Sequence, residues 1–230
     1  PRSFRRKVFL LNLGKVDYLE ALSLQEKLIK AREMVLIQGD VLILLEHPPV
    51  FTIGRRGHIK NVLAPQDMIA REGINIHFVD RGGDITYHGP SQLVGYFIFN
   101  LKKFNNGDIH DFVHKIEDSI IRMLSEYKIA AHPEKGVWIG NKKIAAIGMY
   151  VKNWITKHGF AFNINPNMAH YAMINPCGLE NNSITSLSKL LTYDASIDEV
   201  SRKYLKSFKD VFNVDIEETT LEQLGAASLL

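Results

Sequence analysis

The chain has 230 residues, 46% hydrophobic and 23% charged, with a formal net charge of +3. That balance excludes a mostly disordered chain, and its interspersed charges lack the clustered lysine and arginine of a nucleic-acid-binding face. The longest apolar run, residues 41–45, falls short of the ~18–20 residues that span a bilayer. The single cysteine, Cys177, excludes an internal disulfide and a cysteine-based metal cluster. One domain over residues 1–230 is expected, in the cytoplasm or, in a eukaryote, an organelle matrix. The basic concentration of Arg2, Arg5, Arg6 and Lys7 reads as a solvated terminus.

Residues 7–13 and 41–46 are aliphatic, bounded by turn formers, and predict strands. Between them Asp17 and Glu20 form a capping-box pattern, and Leu24, Leu28 and Ala31 mark the buried stripe of the helix that follows. Ile74, Ile76 and Phe78 alternate with polar residues and predict a half-buried strand running into a glycine-rich segment. Another strand is predicted at 93–99. A helix opening near Asp108 puts Phe112, Ile116, Ile120 and Leu124 on one face. Strands follow at 143–151 and 159–164. The last clear helix opens with Ser196 and Glu199 and continues through Val200, Tyr204 and Phe208; beyond it only a solvated end is expected. The order lacks regular strand–helix alternation, so the expected fold class is α/β of the α+β type, a mixed β-sheet flanked by helices.

Four segments carry candidate chemistry. Arg81-Gly82-Gly83-Asp84-Ile85-Thr86-Tyr87-His88-Gly89-Pro90 reads either as a tight turn with polar decoration or as a loop whose backbone approaches a ligand. It matches neither the P-loop nor the dinucleotide fingerprint. Residues 46–57, Glu46-His47-Pro48-Pro49 through Gly54-Arg55-Arg56-Gly57, predict a rigid loop in which the arginines are ligand contacts or plain surface charges. Lys142 and Lys143 head a strand whose Ala145-Ala146-Ile147-Gly148 has little side-chain bulk, so it can floor a pocket for an extended chain, and a lysine at its head reads either as a solvated strand end or as pointing into that pocket. Pro176 before and Gly178 after place Cys177 on a sharp turn, the setting of an exposed nucleophile rather than of a packing residue.

In this order, these segments resemble the lipoyl(octanoyl) transferase family from about Asn12 to about Leu191. The resemblance includes His158-Gly159-Phe160-Ala161-Phe162-Asn163 and Thr185-Ser186-Leu187. It implies a biotin/lipoate ligase-like catalytic domain. It also implies transfer of octanoyl from octanoyl-acyl carrier protein to a lysine of a lipoyl domain, in 2-oxoacid dehydrogenases or the glycine cleavage H protein, without a cofactor. By the same resemblance Cys177 is the acyl acceptor and Lys143 its partner. Arg81, Gly82, Gly83, Asp84, Ile85, Thr86, Tyr87 and His88, with Ala146, Ile147, Gly148, Gly159, Phe160 and Ala161, bind the acyl group. Asp84 stands where glutamine is frequent in the family and Ser91 where glycine is frequent, which bears on chain-length preference or turnover.

The expected chemistry starts from a thiol with a pKa near 8.5, lowered by a lysine ammonium within ~4–6 Å. Backbone N–H groups of the glycine-rich turn or of the turn at Cys177-Gly178 are candidates to receive the oxyanion. Competing readings are an ATP-dependent lipoate-protein ligase, a cysteine hydrolase pairing Cys177 with His88 or His158, and a non-catalytic carrier-binding module. His110-Asp111-Phe112-Val113-His114 imitates a zinc-binding motif, but the core stripe of its helix leaves both histidines on the flank, and no metal is expected.

Overall fold

The structure, a computed structural model, describes residues 5–176 and 183–225. The elements in chain order are β1 (Arg6–Lys15), α1 (Tyr18–Glu33), β2 (Asp40–Glu46), β3 (Val50–Ile53), α2 (Gln66–Arg71), β4 (Asn75–Phe78), β5 (Ile85–His88) and β6 (Gln92–Ile98). They continue with α3 (Leu101–Asn105), α4 (Ile109–Glu126), β7 (His132–Pro133), β8 (Val137–Ile139), β9 (Lys142–Lys152), β10 (Ile155–Asn163), α5 (Met168–Tyr171), α6 (Ile197–Phe212) and β11 (Val214–Glu218).

Eight strands form one mixed sheet in the order β11-β1-β2-β6-β10-β9-β8-β7, parallel across β11-β1-β2 and antiparallel elsewhere. Alternation along the strands sends residues to two different cores. Leu42, Leu44, Phe97, Phe160 and Phe162 meet α4 and α6, while Leu11, Ile43, Leu45, Val94, Tyr96 and Ala161 meet α1. The first core is aromatic: Phe97 lies edge-on to Phe112 and flat against Phe212, and Phe160 packs on Tyr204 with ring centres 4.7 Å apart. Each such side chain contributes about 1.5–3 kcal/mol by burial.

The predicted helices form as their caps require. Asp17 accepts from Leu19 and Glu20 N–H, Asp108 from His110 and Asp111 N–H, and Ser196 from Glu199 N–H. The stripes at Leu28, Phe112, Ile120 and Phe208 are fully buried.

A second, three-stranded sheet in the order β4-β3-β5 carries its own core of Phe51, Ile53, Ile85, Tyr87, Tyr171 and Ile174. Here the structure corrects three expectations. Residues 50–53, read as part of a rigid loop, form β3, paired on both sides. Phe78 is 70% exposed rather than half-buried, because it ends a four-residue strand on the open edge of this sheet. The tail beyond α6 is not simply solvated: β11 pairs parallel to β1, and only Val214 and Ile216 mark it in an acidic pentapeptide. The basic N-terminal segment is likewise tied down, with Arg6 on the fully buried Asp40 at 2.8 Å and Lys7 on Glu217. Arg2 lies outside the described residues.

Candidate active site

The small sheet sits against β9 and β10 through the glycine-rich loop. Ala146 pairs with Ala161 and Gly148 with Gly159 across the ladder. Gly82 N–H donates to Met149 O at 3.0 Å. A Cβ on Gly148 would come within 3.0 Å of Gly82 O and 3.2 Å of Arg81 Cδ. Gly148 is therefore glycine because the loop rests on it. Gly159 faces a different constraint, since its Cβ would fall 2.0 Å from Gly95 O, next to His158 with its left-handed φ of 64°. Ile147 and Phe160 belong to the core under α4 and α6.

The loop is closed against β3 and the turn that follows it. Gly54, Arg55 and Arg56 N–H groups donate to the carbonyls of Asp84, Arg81 and Gly83. The buried Arg81 guanidinium donates to Thr52 Oγ1 and Thr52 O and to Gly82 O. Gly82 N–H is thus engaged with β9 and is not an oxyanion donor, which narrows the expectation placed on this turn. Asp84 is occupied as well, accepting from Ile85 N–H at 2.7 Å and from Asn61 Nδ2 at 2.9 and 2.8 Å.

Strand alternation divides the rest of the segment. Ile85 and Tyr87 are fully buried in the small sheet's core, and Tyr87 OH pairs with His170 Nδ1 at 3.0 Å. His88 belongs to another group: it stacks on Tyr18 and tilts against His47. Tyr18 also stacks on His77, and His47 Nε2 accepts from Tyr96 OH at 2.7 Å. Thr86 is half-buried beside Thr52.

Burial dominates the ionisation of this cluster. It pushes His47 down to about 4 and His88 well below the usual imidazole value, the latter helped by the neighbouring His47 and by Arg81. Burial raises Tyr18 to about 12 and Tyr96 well above the ordinary phenol. The tautomer of His88 follows from Gln92. Gln92 Nε2 donates towards Tyr87 O, Asn163 Oδ1 and Tyr171 OH, so its Oε1 is the acceptor and His88 Nδ1 carries the proton. The lone pair of His88 then sits on Nε2.

A charged group closes the far end of β10. His158 Nε2 donates to Asp80 Oδ1 at 2.7 Å, and Lys157 Nζ reaches Asp80 Oδ2 and Glu26. The hydrogen bond from His158, ahead of that from Lys157, holds the Asp80 carboxyl well below its usual range.

Lys143 is held through its backbone. Its N–H donates to Ser183 O at 2.7 Å and its carbonyl accepts from Thr185 N–H at 2.9 Å, while Nζ lies 5.0 Å from the Trp138 ring centre. Thr185 O in turn accepts from Asn163 Nδ2, which joins Lys143 to the Gln92–His88 network. Cys177 lies outside the described residues. Upstream, Pro176 is buried and Asn175 N–H donates to Asn61 O at 2.7 Å.

His47, Tyr18, His77, Tyr96, Gln92 and Asn163 were not marked by sequence. His47, Gln92 and Asn163 lie in or beside quoted motifs, but Tyr96 is 49 positions from His47 and Tyr171 is 79 from Gln92. His110 and His114 are exposed, with His114 Nδ1 2.9 Å from Glu117. Among the described residues no three His, Cys, Asp or Glu side chains are grouped to hold a metal ion, and no helix is long and apolar enough to cross a membrane.

Residues 17–209 match the family model described as the lipoyl protein ligase A/B catalytic domain. An octanoyltransferase of Desulforamulus reducens is 43% identical over 92% of this chain and 93% of its own length. One from Caldicellulosiruptor saccharolyticus is 45% identical over 95% and 94%. Among solved structures, a lipoate-protein ligase A bound with ATP superposes with a TM-score of 0.79 at 16% identity, covering 99% of this chain and 94% of that one. A biotin protein ligase of Aquifex aeolicus with biotin gives 0.51 at 16% identity, covering 89% and 70%. The structural likenesses establish the shared fold.

Proposed function

The chain belongs to the lipoyl protein ligase A/B catalytic-domain family, and from that membership we propose that it transfers octanoyl from octanoyl-acyl carrier protein to a lysine of a lipoyl domain through a thioester on Cys177. The observation that carries the reading is the identity of 43% and 45% to octanoyltransferases over nearly the whole chain. Two features of the site support it. Ala146 and Ala161 pair on adjacent strands and bring little side-chain bulk to that stretch of the sheet. Lys143 is tied by its own peptide to the segment that follows Cys177 in sequence.

In the first half-reaction the Cys177 thiolate, favoured by the Lys143 ammonium, attacks the carrier thioester. A bond forms from Sγ to the carbonyl carbon, the bond to the carrier sulfur breaks, and the carrier thiolate takes the proton of the Lys143 ammonium, which leaves Lys143 a neutral amine. In the second, the amine of the target lysine attacks the acyl-cysteine. The amide forms, the Cys177 thiolate is released, and Lys143 accepts the proton lost by the amine. One thioester replaces another in the first step, so no ATP is consumed. The acceptor class is a lipoyl domain of a 2-oxoacid dehydrogenase or of the glycine cleavage H protein.

The test is to incubate the protein with octanoyl-acyl carrier protein without ATP and measure the intact mass. A hydroxylamine-labile octanoyl adduct, absent in Cys177→Ala, is expected. A protein that stays unmodified, yet attaches free octanoate or lipoate when ATP is added, would instead be a ligase.

A further inference from the structure

Strict alternation along β9 would send Lys143 into the aromatic core. Ala145, Ile147, Met149 and Val151 take every second position and lie in or against the core under α4 and α6, so residue 143 is next in line. It does not go there, because the pairing of β8 with β9 slips by one residue. Val137 is opposite Ala145, yet Trp138 is opposite Lys143. The extra residue is Ile144, fully buried in the same core as its neighbour Ala145. A β-bulge of this kind re-aims the side chain beside it. Lys143 is thereby turned to the other face of the sheet, the one on which Gly148 meets the glycine-rich loop.

The residue opposite receives it. Trp138 shares that face as the cross-strand partner, and Lys143 Nζ lies 5.0 Å from the centre of the indole ring. The ring itself is fixed, since its Nε1–H donates to Glu134 O at 2.8 Å across the turn between β7 and β8. Gly136, in that turn, lies along the lysine stem. A Cβ there would come 3.4 Å from Lys143 Cε and 2.5 Å from Ala145 O. Gly136 N–H donates at 2.9 Å to Oε1 of Glu117, a buried carboxylate of α4, so the turn is anchored to the helix layer. The charged side chains around the turn face one another: Glu117 Oε2 is 2.9 Å from His114 Nδ1, and Glu134 Oε2 is 3.9 Å from His132 Nε2.

We propose that Trp138 is a positioning residue for Lys143: the bulge at Ile144 delivers the lysine to the face of the glycine-rich loop, and the indole holds its ammonium there. This rests on the reading of Lys143 as the group that favours the thiolate and later accepts the amine proton. The face of an indole carries the negative part of the ring's quadrupole, so it attracts an ammonium more than a neutral amine. Held over the ring, Lys143 keeps its proton to higher pH and its head in one place. Without the ring, a flexible four-carbon stem spreads the charge over many rotamers.

The experiment follows Lys143 itself. Acetic anhydride modifies neutral amines only, so the rate of acetylation at Lys143 against pH, read by peptide mass spectrometry, gives its titration midpoint. The same proteins are assayed for octanoyl transfer from octanoyl-acyl carrier protein to a lipoyl domain of a 2-oxoacid dehydrogenase. Trp138→Leu removes the ring, and Trp138→Phe keeps one with a weaker face. A third change preserves the shape of the side chain. The chain has two tryptophans, so in a Trp154→Phe protein the growth medium replaces Trp138 alone by mono- or difluorinated tryptophan. Fluorine drains the ring face of negative charge and leaves the packing in place.

The Lys143 midpoint is expected to fall by about half a pH unit in Trp138→Leu, the size of one partly exposed cation–π contact, and by less in Trp138→Phe. It falls stepwise with fluorination. Transfer by Trp138→Leu slows about threefold, which is the same half unit read as a rate, while half-saturation by the donor stays within about twofold. Trp138→Phe recovers most of that rate. A merely structural role would lower the melting temperature and leave the midpoint where it is. A midpoint that stays or rises in folded Trp138→Leu, or that ignores fluorination, would overturn the proposal; if Trp138→Leu does not fold, the fluorinated series decides it. If Lys143→Met transfers octanoyl at the wild-type rate, the reading of Lys143 fails at its own step. If Lys143→Met is impaired and the midpoint does not follow the ring, only the role of Trp138 fails.

Discussion

Lys143 and Ser183 are joined peptide to peptide, the N–H of one donating to the carbonyl of the other at 2.7 Å, and the return bond from Thr185 N–H completes a short parallel bridge. The lysine proposed to activate the thiol thus has its main chain fixed to the residues just beyond the cysteine-bearing stretch. Replacing only its charge tests that role. Lys143→Met keeps the backbone bridge and removes the ammonium, so the Cys177 alkylation midpoint should rise towards about 8.5. Melting temperature should move little, and acylation at pH 7 should fall at least tenfold. An unchanged midpoint would remove Lys143 from the activation of the thiol.

The glycines of the site should rank by what each Cβ would meet. Gly82→Ala meets only Met149 O at 3.4 Å, ordinary contact, and should be nearly neutral. Gly148→Ala pushes on Gly82 O and Arg81 Cδ at 3.0 and 3.2 Å. It should cost about 1–2 kcal/mol as the loop lifts from β9. Gly159→Ala drives into the backbone oxygen of Gly95 at 2.0 Å and should cost above roughly 3 kcal/mol. Urea unfolding of the three variants gives the order directly, and a Gly148→Ala protein as stable as wild type would contradict the contact.

Arg81→Lys should loosen the glycine-rich loop despite conserving charge. The guanidinium holds Thr52 Oγ1, Thr52 O and Gly82 O together, and a single ammonium cannot span all three. A loss of about 1–3 kcal/mol in stability is expected, with weaker half-saturation by the acyl donor. A lysine variant with wild-type stability and half-saturation would mean the fork is dispensable.

Burial of neutral His47 makes stability depend on pH. Its folded value lies down at about 4, against about 6.5 for an unfolded imidazole. Between those values the unfolded chain takes up a proton that the folded chain refuses. Stability is therefore complete above about pH 6.5 and is lost as pH falls towards 4, by roughly 3 kcal/mol from this group. His88 and His158, also lowered by burial, act in the same direction. Urea unfolding at pH 7 and pH 5 should show the loss, and His47→Gln should flatten it. A slope unchanged in His47→Gln would assign the dependence to the other histidines.

What could be read without the fold was whatever is encoded locally. The caps Asp17, Asp108 and Ser196 bond to residues two or three positions away, so they mark their helices in the sequence itself. The apolar stripe of α4 repeats at helical spacing and needed no partner to be recognised. The acyl-site residues came from the family resemblance. Composition alone could not have separated Tyr87, which packs into the small sheet's core, from His88, which joins Tyr18 and His47. The His47–Tyr96 bond joins positions 49 apart and has no local mark. β11 was missed for a related reason: with two apolar residues among five, it is a strand because β1 offers it an edge.

The pairing of β11 with β1 brings Arg6 opposite Val214 and Leu10 opposite Glu218. During synthesis the first of these strands leaves the ribosome long before the second exists. Until residue 218 has emerged, the outer edge of β1 presents unpaired amides and carbonyls to any other nascent chain. The acidic Asp215, Glu217 and Glu218 arrive last, and they cap that edge with a strand whose charge discourages a further one from adding.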